Sequence, residues 1–251
     1  MSDWLIWSLV IAIAILLLGF VVALGARRRF SAMRKKFSDR GTEAGATGKE
    51  LALASLEVYS LNDVAIASSS DKYANAYSIK DKTLIFSEDV LTQSSVFALA
   101  VVAHEVGHAR QHNDGHVGLA MWYMLSYAER FTCMLVLPFF LVGLVLSVIP
   151  PTSIAGAILI NLSTTFTFLA LLNRLLSLPN EMGASKLGLE MLAQSESMTK
   201  QELRGAKKVL KAAYATYILG FYERLFLNFY LLTRASKYTI RKIKERNTKS
   251  K

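Results

Sequence analysis

The sequence predicts a mostly α membrane protein, in which transmembrane helices carry a small α+β domain. Three observations support this. Of 251 residues, 53% are hydrophobic and 19% charged, with a mean hydropathy of +0.33; soluble domains usually carry more charge. Three apolar runs, 4–24, 131–149 and 153–172, approach the roughly 20 residues that cross a bilayer core. Between the first and second runs lies a polar region with both strand and helix patterns. The net charge of +10 and pI near 9.7 come from basic residues clustered beside apolar runs. That placement points to an anionic membrane surface and argues against a nucleic-acid partner, for which no reading motif is present. Cys133 is the single cysteine, so no intramolecular disulfide forms.

Residues 1–25 form the first transmembrane anchor. Trp4 and Trp7 open the run as interfacial aromatics, and Arg27, Arg28, Arg29, Arg34, Lys35, Lys36 and Arg40 follow it. A cleavable signal peptide carries its positive charge ahead of the apolar run, whereas here only Asp3 precedes it. The expected orientation has the N-terminus outside and the chain from Ala26 in the cytoplasm. Residues 26–127 form the cytoplasmic part. It opens with a small polar linker at 41–48 and a helix over 49–58, with Leu51, Leu53 and Leu56 as packing residues. A short strand is expected at 64–67, then a turn at 68–71. The segments 74–79 and 83–86 read as a hairpin around Lys80-Asp81-Lys82. Residues 94–112 read as a buried helix.

Residues 128–178 form a transmembrane helical hairpin joined at Pro150-Pro151, with Pro138 inside its first helix and Asn173 and Arg174 closing the second. In the segment 179–211, Pro179 marks a rigid helix end, and a polar helix follows over 195–211. Residues 212–251 hold an apolar, aromatic stretch interrupted by Glu223, Arg224 and Asn228, then a basic tail. Basic residues flank the stretch on both sides, so it reads as an interfacial or a fourth membrane helix. The expectation is three full spans with the C-terminus in the cytoplasm.

The chemistry concentrates at His104-Glu105-Val106-Gly107-His108, in the helix at 94–112. Histidines at i and i+4 share one helix face, one turn apart. This spacing lets two imidazoles bind one zinc ion, with Glu105 as general base for a zinc-activated water. All four histidines, His104, His108, His112 and His116, stand four apart. Yet His104 and His112 lie about 12 Å apart along a helix, and zinc bonds are about 2 Å long. One helix therefore cannot bring three of them to one ion, and the third ligand comes from elsewhere. Asp114 lies six residues after His108, where metzincins place a ligand, but that pattern needs glycine at the position of Gln111. Two spans separate His108 from Pro179, which returns Glu181 to the motif's side of the membrane. Glu129, Glu190, Glu196 and Glu202 are its rivals by composition.

The same residues carry a resemblance. The motif, two apolar spans, and Leu178-Pro179-Asn180-Glu181-Met182-Gly183-Ala184-Ser185-Lys186 resemble the YugP-type membrane zinc metallopeptidases. They are more loosely similar to the HtpX and type-I CAAX prenyl protease families. Asn75-Ala76-Tyr77 and the strand at 83–87 resemble the strand pair that precedes the motif helix in those families. Residues 205–210 resemble the segment that follows the downstream glutamate in YugP-type chains. The resemblance covers residues 26–232. It implies a zincin-like catalytic domain of the gluzincin type, binding one zinc ion through His104, His108 and Glu181, with Glu105 catalytic. It also implies a peptide or protein substrate, membrane proteins included, and an edge near 74–77 for an extended substrate. The expected location is the bacterial cytoplasmic membrane, with the site facing the cytoplasm. HtpX-like chains have an aspartate four residues after the glutamate; this chain has Ser185. The competing reading is a non-catalytic membrane interaction protein with a structural zinc site, for which Glu105 has no use. Tyr217, Tyr222 and Arg224 are candidate oxyanion donors, but an interfacial aromatic belt and an intrahelical charge pair are the preferred account of them, and no site is assigned to them.

Overall fold

The structure is a computed structural model that describes residues 3–214 and Thr216. The described chain is mainly helical. Helix α1 spans Asp3–Ser38 and α2 Gly48–Val58; strands β1 (Ala65–Ser69), β2 (Ala76–Ser78) and β3 (Thr83–Ser87) follow. Then come α3 (Glu88–Thr92), α4 (Val96–Asn113), α5 (Val117–Ser147), α6 (Ser153–Gln194) and α7 (Lys200–Tyr214). The chain divides into two compact units.

One unit comprises Val22–Leu125 and Leu175–Tyr217 and holds the hydrophobic core. Leu84, Phe86, Leu99, Val102, Val106, Leu192 and Val209 are buried there. The sheet order is β1-β3-β2, with β1 parallel and β2 antiparallel to β3. Tyr77 faces Leu84 across the β2–β3 hairpin, the pairing that the sequence suggested around Lys80-Asp81-Lys82. Helix α2 starts where Thr47 and Glu50 form a reciprocal capping box, which satisfies two backbone N–H groups of the first turn. Helix α4 starts where the Ser95 hydroxyl accepts the Ala98 N–H at 3.2 Å. It ends at Asp114, followed by Gly115 at φ +66°, a left-handed conformation that favours glycine. Of the packing residues expected on α2, Leu51 and Leu56 are buried, but Leu53 is 52% exposed. Two residues along a helix rotate a side chain by about 200°, which carries Leu53 to the far side from Leu51.

The other unit comprises Met1–Val21, Ser126–Arg174 and Ile218–Lys251. Among its described residues, α5 and α6 pack as an antiparallel pair joined by the 3₁₀ turn Pro150–Thr152. A Cβ on Gly143 would lie 2.9 Å from the Gly156 carbonyl oxygen, so these backbones approach as only glycine allows. The Ser163 hydroxyl donates to the Val136 carbonyl at 2.7 Å, and Asn173 donates to Glu129 at 2.6 Å. Two stretches, Val117–Ser147 and Pro150–Gln194, are long and apolar enough to cross a membrane. The run at 4–24 lies within α1.

Strand β1 runs on through Ser69 into the expected turn, α7 begins at Lys200 and not at 195, and the two long helices differ further from the sequence reading. Helix α5 begins at Val117, well before the apolar run at 131. Helix α6 does not end near Asn173 or at Pro179 but continues through both to Gln194. Proline lacks an N–H and crowds the preceding turn, yet long apolar helices tolerate it where neighbours satisfy the freed carbonyl. Pro138 likewise lies within α5, as the sequence suggested. The stretch at 217–251 lies outside the described residues, so the sequence reading of that segment stands as an expectation.

Candidate metal centre

Helix α4 presents His104, Glu105 and His108, while α6 presents Glu181 and, one turn later, Ser185. Ligand atoms of His104, His108 and Glu181 all lie within 4.8 Å of one another. The Nε2 atoms of His104 and His108 stand 3.1 and 3.3 Å from the two Glu181 carboxylate oxygens. The approach of the helices depends on small residues. A Cβ on Gly107 would lie 2.2 Å from the Ala184 carbonyl oxygen, and one on Gly188 would lie 2.5 Å from that of Ala103. Glycine inside the motif is thus a packing requirement that brings α6 onto α4.

The outward nitrogens of both rings are already engaged. His104 Nδ1 is 2.9 Å from the Ser185 hydroxyl oxygen, and Ser185 is fully buried. His108 Nδ1 is 3.0 Å from Gln111 Oε1, and the Gln111 amide donates to the Asn180 carbonyl at 2.9 Å. Gln111 Oε1 can only accept, so His108 Nδ1 carries the hydrogen. The Ser185 hydroxyl can accept from His104 Nδ1 in the same way, and in that tautomer both Nε2 atoms turn lone pairs toward the site. Glu181 is 2% exposed, and its Oε2 has no hydrogen-bond partner among the described residues. Three electron-rich donors converging in a buried place call for a cation. Two imidazoles and one carboxylate are also a donor set that zinc takes. These residues fit zinc. Without a metal, burial pulls the His108 pKa down, but the charge and hydrogen bond of Glu181 outweigh it and raise the value. Proton and metal therefore compete for this ring.

Glu105 is 8% exposed, and its Oε2 accepts the Tyr77 backbone N–H at 2.9 Å from β2. That contact fixes one carboxylate oxygen and leaves the other able to take a proton. The Tyr77 phenol is hydrogen-bonded to His112 Nδ1 at 2.8 Å. Burial, with the Asp63 charge, pushes this phenol up to about 12, so it stays protonated.

The rivals for the third ligand are occupied elsewhere. Asp114 is the C-cap of α4, and His116 stands beside the Leu119 N–H. Glu129 pairs with Asn173, Glu190 with Lys186, and Glu202 caps α7 through Thr199. Glu196 lies in the α6–α7 connection at φ +51°. Tyr217, Tyr222 and Arg224 fall outside the described residues. Sequence reasoning missed Gln111. Its only local signal is a spacing of three from His108, which places it one turn along the same face.

The chain is 28% identical over 192 residues to a "Putative membrane protease YugP" of Bacillus subtilis (strain 168), covering 76% of this chain and 82% of that protein. No solved structure matches it. The model of the family described as "Putative neutral zinc metallopeptidase" matches residues 11–236, nearly the whole chain and every residue of the centre just described, and the chain belongs to that family.

Proposed function

We propose that this protein is a membrane-anchored, zinc-dependent endopeptidase. It holds one zinc ion through His104, His108 and Glu181 and cleaves peptide bonds with Glu105 as general base. The observation that carries the reading is the convergence of two imidazole Nε2 atoms and a buried carboxylate, with Glu105 on the same helix.

When bound, zinc supplies a Lewis acid that polarises the scissile carbonyl and acidifies water. The remaining chemistry belongs to the chain. Glu105 accepts the proton of the attacking water and passes it to the leaving amine. The Tyr77 N–H holds the Glu105 carboxylate in one orientation. Gln111 fixes the tautomer of His108, and Ser185 orients the His104 ring through Nδ1, which leaves Nε2 of each ring to serve as a ligand. The substrate is a peptide or protein, membrane proteins included. Membrane attachment is supported by the two long apolar helices and by the name of the Bacillus relative. The basic flank from Arg27 to Arg40 favours a cytoplasmic site.

Two variants test the ligand set. Glu181→Gln removes an anionic ligand and is expected to lose zinc affinity, whereas Asp114→Asn should keep both zinc and activity. Zinc titration against a competing chelator reads the difference. Zinc lost from the Asp114 variant and kept by the Glu181 variant would move the third ligand to Asp114.

A further inference from the structure

Helix α7 carries a surface that the metal centre does not use. Lys200, Arg204, Lys207, Lys208 and Lys211 are all exposed, while Gly205, Ala206, Val209 and Leu210 are buried. At about 100° per residue, the five cations fall within an arc of roughly 80–100° along about 17 Å of helix. No acidic residue shares that arc, because Glu202 lies on another side and accepts the Thr199 and Glu43 N–H groups. None of the five has a carboxylate partner among the described residues. Unpaired like charges on one face repel one another unless an anionic surface meets them.

Its place in the chain indicates which surface that is. The unit that contains α7 is bounded in sequence at Val22, Leu125, Leu175 and Tyr217. Apolar sequence adjoins the boundary at Val22 and, as residues 218–221, the one just beyond α7. Lys211 is six residues from Tyr217, a reach of at most about 20 Å even when fully extended. We infer that the basic face of α7 is a docking surface for the anionic phospholipid headgroups of the membrane that anchors the protein. Each lysine near such a surface strengthens the attraction roughly fivefold. Because Gly205 and Val209 pack α7 into the same core as α4, lipid held on one face of α7 would steady the helix that carries the histidines.

The proposal rests on the membrane attachment proposed above and not on the metal chemistry. The test uses the full chain in nanodiscs of phosphatidylcholine, with or without phosphatidylglycerol. A fluorophore on Gln201→Cys, in a Cys133→Ser background, reports proximity to lipids that carry a headgroup quencher. Quenching should be stronger in the anionic nanodiscs. It should fade in high salt, where the Debye length falls from about 10 Å to about 3 Å. The triple variant Lys207→Glu/Lys208→Glu/Lys211→Glu should lower the attraction by roughly a hundredfold or more and abolish the lipid dependence, while zinc content stays that of the parent. Equal quenching in both nanodiscs, or a lipid response kept by the triple variant, would overturn the docking surface; an acidic protein partner would give the first of these results. A chain that fails to insert into either nanodisc would overturn the membrane attachment and the docking with it.

Discussion

His104 and Glu181 are 77 positions apart in the chain, yet their side chains meet, and Ser185 lies against the far side of the His104 ring. Its hydroxyl sits where a carboxylate would otherwise steady the ring, 2.9 Å from His104 Nδ1. Hydrogen-bond partners of ligating histidines typically change metal affinity about ten- to a hundredfold when removed. Ser185→Ala is therefore expected to weaken zinc binding by about that factor without unfolding the protein, as measured against a competing chelator. Affinity equal to wild type would leave Ser185 with a packing role only. At this scale His104, Glu105 and His108 were legible, because a one-turn spacing is local geometry. Glu181 was legible through the count of spans and the resemblance. The partners were not. Ser185 stood only as a departure from a related pattern, and Gln111 only as the residue that excluded Asp114. Their hydrogen bonds to His104 and to the Asn180 carbonyl close over 81 and 69 residues, and no local pattern encodes such a closure.

Between α4 and the last part of α6, side-chain chemistry depends on backbone contact. Gly107 and Ala184 face one another, as do Gly188 and Ala103, with no room for a Cβ on either glycine. A methyl at Gly107 would meet a backbone carbonyl, which cannot rotate away as a side-chain tip could. Gly107→Ala is expected to destabilise the protein by about 1–3 kcal/mol, the usual range for overpacking. It should also weaken zinc binding, since His104 and His108 would move away from Glu181. Thermal unfolding with and without zinc would show both effects, and unchanged midpoints would contradict the close approach. The hairpin of β2 and β3 and the helix with the motif were legible from turn residues and an apolar run. The extent of α6 was not. Pro179 and the polar pair Asn173 and Arg174 resemble helix ends in sequence, but the helix continues to Gln194. That continuity holds Glu181 and Ser185 one turn apart on one face. Leu53 was misread for a related reason: hydrophobicity alone does not say which side of a short helix meets the core.

For the whole molecule, the apolar segments and the basic flanks set the expected topology: three full spans, with both the metal centre and the C-terminus in the cytoplasm. Reporter fusions after Thr152 and after Lys251 should then report opposite sides of the membrane, and the same side for both would refute this topology. The mostly helical class was legible in composition, and two of the apolar runs lie in helices long and apolar enough to cross a membrane. The substrate was not legible, because no local pattern in the chain encodes which sequence an edge strand will accept. What the whole molecule must do, if the centre is catalytic, is cleave peptide bonds in a way that depends on one carboxylate. The most direct test measures zinc content and turnover of a peptide library on the same reconstituted preparations of the wild type and of Glu105→Gln. The variant is expected to retain zinc at the wild-type level and to cleave nothing, because both imidazoles and Glu181 remain while the base is gone. Cleavage at the wild-type rate by the variant, or loss of zinc together with loss of the fold, would contradict it.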